Sequence, residues 1–234
     1  MAFQTSEPLR VALVAEGPTD KIIIQAAISQ LLGNRRFVLR QLQPEESVAF
    51  GAKGTGGWGG VYYWCRQAVG RAGGALRDDL LFLSFDLLVL HLDGDVAGGR
   101  YSDAGITEET GDLPCVQPCP PASSTTDRLR AVLLRWAGET RIPPRTVLCT
   151  PSKSMEAWVL AALFPTDGAV VCGGLECLPD PEGRLGQQPK KIRVHKTVSD
   201  YRRRMADISK AWGNLRASLT EADRFSSEFL AAIP

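Results

Sequence analysis

Acidic residues stand directly after three apolar segments of the chain, and their type and spacing could support metal-dependent chemistry. Glu16 follows the first segment, Asp93 and Asp95 follow another, and Glu156 comes shortly after a third. Asp20 lies just beyond Glu16. Carboxylates only a few ångströms apart repel one another and raise each other's pKa. If the fold brings all these groups together, a bound cation is expected to compensate their charge.

The three apolar segments are predicted to be buried strands of one parallel sheet. They cover residues 9–15, 87–92 and 146–149, and a further strand is predicted at residues 37–42. Predicted helices cover residues 21–32, 61–69, 126–136, 153–163, 198–212 and 221–231. This alternation predicts an α/β fold with a mainly parallel sheet of about four strands flanked by helices. Because ligands bind beyond the carboxyl ends of parallel strands, we expect the acidic residues to meet there.

The chemistry of such a site follows from its ligand atoms. Carboxylate oxygens without a neighbouring cluster of His or Cys favour a hard cation, Mg²⁺ or Mn²⁺. Two such ions about 4 Å apart would activate a water molecule and stabilise the leaving oxygen of a phosphodiester. Gly17 and Gly94 adjoin the acidic residues and are expected to let the backbone approach a metal ion or a phosphate.

Each acidic residue taken alone also has a structural interpretation. Asp20 could cap a helix, and Asp93-Gly94-Asp95 could be a simple turn. Glu156 could complement the dipole of the helix that it opens. The metal-site interpretation is favoured because the chain order and the strand-end placement of the whole set agree.

Length and composition predict one large domain with a full hydrophobic core. The chain has 234 residues, of which 44% are apolar and 23% charged, and its formal net charge is +1. We expect a catalytic core at residues 9–164 with an irregular insertion at residues 96–124. Residues 165–234 are expected to form a loop and a basic helical extension that packs on the core.

Several classes of protein are excluded by the sequence pattern. The most apolar stretch, residues 80–92, is interrupted by Ser84, Asp86 and His91, so no membrane span is expected. Residues 1–10 lack the layout of a secretory signal. Six cysteines are spread over the whole chain and do not resemble a small disulfide framework. We therefore expect a cytoplasmic protein with reduced thiols.

Three motifs resemble those of a known family. Glu16-Gly17-Pro18-Thr19-Asp20 resembles the E-G-x-x-D opening of Toprim domains, and Asp93-Gly94-Asp95 resembles their D-x-D motif. Ser154-Met155-Glu156 resembles the S-x-E element of the OLD-nuclease branch, particularly its RloB-like, stand-alone members. The resemblance covers residues 10–163 and implies a Rossmann-like Toprim core. It also implies Mg²⁺-dependent hydrolysis of phosphodiester bonds in DNA or RNA.

The resemblance also implies a role for each acidic residue. Glu16 would be a metal ligand or general acid/base with Asp20 beside it, and Asp93 and Asp95 would hold the Mg²⁺ ions. Glu156 would complete the second metal position. Ser154 would orient Glu156 or a bound water molecule.

A lysine that stabilises the scissile phosphate is a further implication of the resemblance. Lys196 is the first choice, with Lys190 and Lys191 behind it. Proteins of this family are often encoded with an ABC-type ATPase in anti-phage defence systems. The chain has no Walker A motif, so such an ATPase would be a separate partner.

A basic region near the C-terminus could contact nucleic acid. Between Arg184 and Arg216, ten Lys or Arg residues face two Asp residues. The residues proposed for this contact are Lys53, Lys190, Lys191, Arg193, Arg202 and Arg203. The alternative is a solvated helix face, and because Arg202 to Arg204 spread around the helix, not all of them can face one ligand.

A glycine-rich segment, residues 51–60, formally satisfies G-x-G-x-x-G. It does not follow a strong strand, so a dinucleotide site is not expected, and a plain loop is the favoured interpretation. The alternative is a loop that carries Lys53 and Trp58 towards nucleic acid.

The histidines and cysteines have both structural and functional interpretations. His91 is predicted on the same face of its strand as Asp93, and a satisfied core histidine is favoured over a supporting role in the site. His195 could bind phosphate. The cysteines at 115, 119, 172 and 177 could form a four-thiolate zinc site, but their irregular spacing argues against it. Cys65 and Cys149 are expected in the core.

Two other functions share the same acidic core. One is a catalytically silent Toprim-fold subunit that binds nucleic acid or a partner ATPase. The other is primase or topoisomerase chemistry, which is disfavoured because the sequence has no recognisable nucleoside-triphosphate pocket and no convincing tyrosine nucleophile.

Overall fold

In the computed structural model, which describes residues 7–45 and 56–234, the sheet is four-stranded and entirely parallel. Its strands are β1 (Leu9–Val14), β2 (Phe37–Gln43), β3 (Leu87–His91) and β4 (Thr146–Cys149). They are ordered β2-β1-β3-β4. The predicted α/β fold is confirmed, and the arrangement is consistent with a Rossmann-like core. Chain order reverses direction between β1 and β3, which is where such sheets form a ligand crevice.

Helices flank the sheet on both faces. They are α1 (Pro18–Leu32), α2 (Gly57–Ala72), α3 (Leu81–Ser84), α4 (Ser123–Trp136), α5 (Met155–Leu163), α6 (Gly168–Val171), α7 (Pro181–Gly186), α8 (Val198–Ser218) and α9 (Thr220–Ala232). The long helices lie where the sequence predicts them, with boundaries shifted by a few residues. Within the described ranges, none is both long and apolar enough to cross a membrane.

Two short helices, α6 and α7, differ from the loop that the sequence predicts for residues 164–188. Each begins at an aspartate whose side chain accepts a hydrogen bond from a backbone amide of the first turn. Asp167 accepts from Ala169, and Asp180 accepts from Gly183 at 2.7 Å. The sequence pattern misses these helices because they are too short to show an apolar periodicity.

Two hydrophobic cores enclose the sheet. Val11 and Leu13 of β1 point to the core formed with α1, α5, α8 and α9, whereas Ala12 and Val14 point to the core formed with α2 and α4. Because successive residues of a strand face opposite sides, both sets of side chains are buried. This double burial explains why the strands appear in the sequence as continuous apolar runs.

The C-terminal helices pack on the first of these cores. Trp212 of α8 meets Trp158 of α5 edge to face, with ring centroids 5.3 Å apart, and both rings are fully buried. The indole Nε1 of Trp212 donates to Ser226 Oγ of α9 at 3.0 Å. Both tryptophans are core residues, and their contacts hold α8 against α5 and α9.

The cysteines correct one expectation. Cys119, in the insertion, and Cys177 form a disulfide with their Cα atoms 5.5 Å apart, so the prediction of reduced thiols is wrong for this pair. The pairing also removes two of the four thiolates that the zinc alternative needs. The remaining cysteines are free, with Cys65 and Cys149 buried and Cys115 and Cys172 exposed.

Candidate metal centre

The ends of β1 and β3 bring two predicted acidic residues together. The strands pair in register, with Val14 opposite Leu90, so residues shortly after each strand become neighbours. The backbone amide of Asp93 donates a hydrogen bond of 2.7 Å to Oε1 of Glu16. Asp93 is only 6% exposed and Glu16 is half-buried. Glu16 and Asp93 therefore lie next to each other at the carboxyl edge of the sheet.

His91 lies beside Glu16 and Asp93. It is the last residue of β3 and is fully buried, with Nε2 3.1 Å from Oδ1 of Asp93. One ligand atom from each of Glu16, His91 and Asp93 lies within 4.8 Å of the others. These three residues form a group that could bind a metal ion.

The favoured interpretation of His91 as a satisfied core histidine is wrong. Among the described residues, its Nδ1 has no hydrogen-bond partner, although it lies 3.7 Å from Oδ2 of Asp20. The signal in the sequence was the spacing His-x-Asp at the end of a strand. Alternation placed both side chains on one face of the sheet, but an apolar run around a histidine usually indicates a core position.

Asp20 combines the two roles that the sequence left open. It lies in the first turn of α1, it is buried, and its Oδ2 accepts a hydrogen bond of 2.8 Å from the amide of Gly17. It therefore caps the helix. The same oxygen faces the His91 ring, so Asp20 also belongs to the edge of the acidic cluster.

The turn after β3 packs against the turn after β4. The amide of Asp95 donates to the carbonyl of Lys153 at 2.9 Å, and a Cβ added to Gly94 would overlap the carbonyl oxygen of Ser152. Glycine is required at position 94 because two backbones meet there, a role that the sequence analysis did not predict. The Asp95 side chain is exposed. Gly17 differs, since a Cβ there would make only ordinary contacts at 3.6 Å or more.

Glu156 lies in the first turn of α5 and is fully buried. Its Oε1 accepts a hydrogen bond of 2.8 Å from the Tyr201 hydroxyl, and its Oε2 accepts one of 3.2 Å from Nζ of Lys196. Ser154 is the buried N-cap residue of the same helix. Lys196, chosen from the sequence by resemblance, thus contacts a predicted metal ligand. Tyr201 is a site residue that was not predicted from the sequence.

Electrostatic coupling links these carboxylates. Burial raises the pKa of Glu16 well above its ordinary value, and the charge of Asp93 raises it further. Burial likewise raises the pKa of Asp93 to about 6, although His91 opposes the shift. Burial raises the pKa of Asp20, partial desolvation raises the pKa of the more exposed Asp95, and the negative charge of Glu156 contributes to both shifts. The predicted acidic residues therefore share one electrostatic environment.

The carboxylates around His91 favour its protonated form, and the ring would have to lose that proton in order to bind a metal ion. Burial by itself lowers the pKa of the imidazole, but the carboxylates of Asp93, Asp20 and Glu16 outweigh that effect and raise it to about 9. An imidazolium between carboxylates compensates part of their repulsion. A divalent cation would compensate it more fully, and the donor set suits an ion that accepts both oxygen and nitrogen ligands, such as Mn²⁺.

The residues proposed for nucleic-acid contact lie mainly outside this cluster. Lys190, Lys191 and Arg202 are exposed. Arg193 donates through Nε to the carbonyl of Gln188 at 3.0 Å, and Arg203 pairs with Asp200. Lys53 falls outside the described residues.

His195 and Trp58 have specific surroundings. His195 is exposed, and its amide donates to Asp200 Oδ2 at 3.0 Å. Trp58 lies in the first turn of α2 and stacks on Trp136 with a centroid distance of 6.2 Å. Trp58 therefore belongs to an aromatic core cluster rather than to a loop that reaches for nucleic acid. The helix predicted at 61–69 begins earlier, at Gly57, whose amide donates to the Glu16 carbonyl at 2.9 Å.

Comparison of the chain with protein-family models, with curated proteins and with solved structures gives no match.

Proposed function

We propose that the protein is a divalent-metal-dependent nuclease of Toprim/OLD type, which hydrolyses phosphodiester bonds in DNA or RNA. The observation that carries the proposal is the cluster at the switch point of the sheet. There, ligand atoms of Glu16, His91 and Asp93 lie within 4.8 Å of one another. Glu156 and Lys196 adjoin this cluster and interact electrostatically with Asp20 and Asp95.

Each central carboxylate has one oxygen fixed by the protein. Oε1 of Glu16 accepts the Asp93 amide, and Oδ1 of Asp93 faces His91. Within residues 7–45 and 56–234, the second oxygen of each group accepts no hydrogen bond and could bind a cation. On this proposal Glu16, Asp93 and His91 would hold one ion, and Asp95, Asp20 and Glu156 would complete a second position. Mg²⁺ or Mn²⁺, when bound, supplies charge stabilisation and an acidified water molecule.

Lys196 is the residue proposed to attract the scissile phosphate. Although burial lowers the pKa of its ammonium, the carboxylates of Glu156 and Glu182 raise it above the ordinary value. The side chain therefore stays charged at neutral pH. A permanent positive charge beside the metal centre would draw a phosphodiester to the edge of the sheet.

A catalytically silent subunit is the second candidate, and one observation favours it. The charges of the site already have partners within the protein, because Glu156 pairs with Lys196 and Tyr201 while Asp93 pairs with His91. Such a subunit would bind nucleic acid or an ATPase without cleaving. For either candidate, a separately encoded ABC-type ATPase in an anti-phage defence system is the partner that the motif resemblance implies.

Cleavage assays with matched variants test the proposal. Supercoiled plasmid, single-stranded DNA and structured RNA would be incubated with Mg²⁺ or Mn²⁺. Asp93→Asn and Glu156→Gln are expected to abolish cleavage while the proteins remain folded. Asp79→Asn and Glu221→Gln are the controls, since both are buried acids, and their side chains hydrogen-bond Leu81 and Thr126 instead of the residues of the cluster. Undiminished cleavage by both site variants would contradict the nuclease.

Binding of Mn²⁺ separates the two candidates. Titration calorimetry should show Mn²⁺ binding that Asp93→Asn removes and Asp79→Asn retains. The silent subunit would be favoured if the wild-type protein binds nucleic acid tightly but does not bind Mn²⁺.

A further inference from the structure

A cavity of about 390 Å³ lies between α7 and the segment that leads into α8. Its walls include Glu182 and Leu185 from α7, Val194 and Lys196 from the connecting segment, and Tyr201 from α8. Cavities that bind small ligands or parts of larger ones have volumes of roughly 300–1,000 Å³. The space is therefore sufficient for a phosphate group and the atoms attached to it.

The cavity adjoins the candidate metal centre through two shared side chains. Lys196 and Tyr201 line it, and both donate hydrogen bonds to the buried carboxylate of Glu156. A group that enters the cavity and contacts Lys196 is thus separated from Glu156 by a single side chain. This places the cavity beside the position where the proposed reaction would occur.

Lys196 pairs with two carboxylates, one buried and one exposed. Glu156 is fully buried, and the Tyr201 hydroxyl holds its other oxygen at 2.8 Å. The Glu182 side chain is 58% exposed, and its Oε2 lies 3.3 Å from Nζ of Lys196. Exposed ion pairs of this kind are weak, whereas removing a partner from a buried charge is costly. An arriving anion would therefore displace Glu182 and leave Glu156 in place.

Two further polar side chains lie on the cavity wall. Asp180 also lines the cavity, but its Oδ1 accepts the Gly183 amide and caps α7, so it is committed to the helix. His195 adds a second nitrogen-bearing side chain to the wall. Once Glu182 has moved away, Lys196 offers a hydrogen-bond donor and a positive charge to the cavity.

We infer that this cavity is a phosphate subsite and that Glu182 occupies the place of the substrate phosphate on Lys196 in the unliganded protein. The identity of the ligand as a nucleic-acid phosphate rests on the proposed function. Glu182 then acts as a competing anion, which a substrate must displace before it contacts Lys196.

Binding of inorganic phosphate tests the inference without metal ions and without catalysis. Phosphate would be titrated calorimetrically into the full-length protein at low ionic strength, because salt screens the exposed pair. Glu182→Gln is expected to bind phosphate roughly threefold or more tightly than the wild type, since a weak exposed ion pair no longer competes. Lys196→Met should lose the binding.

Asp207→Asn is the matched control, because Asp207 is also an exposed acid of this region but pairs with Arg204 instead of Lys196. Its phosphate affinity should equal that of the wild type. Equal affinity of Glu182→Gln and the wild type would overturn the inference, as would an equal gain in Asp207→Asn or no phosphate binding by any of them. A gain in Glu182→Gln alone, in a protein that cleaves nothing, would support the subsite and contradict only the nuclease.

Discussion

The backbone amide of Asp93 donates a hydrogen bond to the side chain of Glu16, which lies 77 positions earlier in the sequence. This contact joins the ends of β1 and β3 at the point where the strand order reverses. Replacing Glu16 therefore removes a charge and also frees the backbone of Asp93. Substitution of the Asp93 side chain is the cleaner probe of the metal centre, because it leaves this backbone contact in place.

Gly94 and Gly17 should respond differently to a methyl group. Gly94→Ala is expected to lower the free energy of unfolding by about 1–3 kcal/mol, because the new Cβ overlaps the Ser152 carbonyl. Gly17→Ala is expected to fold normally, since its φ of −146° suits any residue and its nearest contact would be 3.6 Å. Urea unfolding of both variants measures the difference. Equal stability of the two would show that the turns after β3 and β4 are not packed as described.

The hydroxyl of Tyr201 should stabilise the protein through its hydrogen bond to the buried side chain of Glu156. Tyr201→Phe is expected to cost about 1–3 kcal/mol of unfolding free energy in the wild-type background, because a buried carboxylate loses a donor. In a Glu156→Gln background the cost should fall by roughly 1 kcal/mol, since hydrogen bonds to neutral groups are weaker.

Tyr63→Phe is the control for this double-mutant cycle, because its hydroxyl donates to the Gly105 carbonyl away from Glu156. It should cost the same amount in both backgrounds. The proposed coupling is refuted if Tyr201→Phe also costs the same in both.

Asp86 lies at the end of the sheet opposite the candidate metal centre. It should make the stability of the protein depend on pH. The Arg10 guanidinium hydrogen-bonds the carboxyl group and holds its pKa below the ordinary value. The resulting stabilisation is fully present above the unfolded pKa of about 3.9 and is lost as the pH falls through the lower folded value.

Asp86→Asn should accordingly be less stable than the wild type at pH 7, and the difference should shrink as the pH falls below about 4. Urea unfolding at a series of pH values measures this, with Asp112→Asn as an exposed control. A difference that stays constant down to pH 2 would contradict the assignment.

Thiol titration checks the disulfide. In denaturant without reductant, four cysteines should react, and all six should react after reduction, because Cys119 and Cys177 are paired. Peptide mapping should recover residues 119 and 177 in one cross-linked fragment. Six reactive thiols before reduction would show that the pair does not form in the purified protein.

Much of the fold follows from local sequence patterns. The apolar runs that became β1 and β3 are buried on both faces, and that burial makes a parallel strand recognisable in a sequence. The short helices α6 and α7 were missed because their hydrogen-bonding aspartates, Asp167 and Asp180, act within a few residues and leave no periodicity. Cys119 and Cys177 are 58 residues apart, and spacing alone does not determine which cysteines pair.

The part of the candidate site that lies at the ends of the strands could be predicted from the sequence. The geometry of a parallel sheet predicts that Glu16 and Asp93 lie together, because each follows the carboxyl end of a strand. The burial of His91 was predictable, but its contacts with Asp20 and Asp93 were not, because a histidine in an apolar strand is usually surrounded by apolar side chains. The contacts of Glu156 with Lys196 and Tyr201 depend on how α8 packs beside α5, and no local pattern encodes them.

The most direct test is diffraction from crystals soaked in Mn²⁺ and measured at the manganese absorption edge. The account predicts an anomalous peak bounded by Glu16, His91 and Asp93 in the wild-type protein and in Asp79→Asn, and no peak there in Asp93→Asn. Wild-type crystals with no manganese at these three residues, or with manganese bound only on another face of the protein, would contradict it.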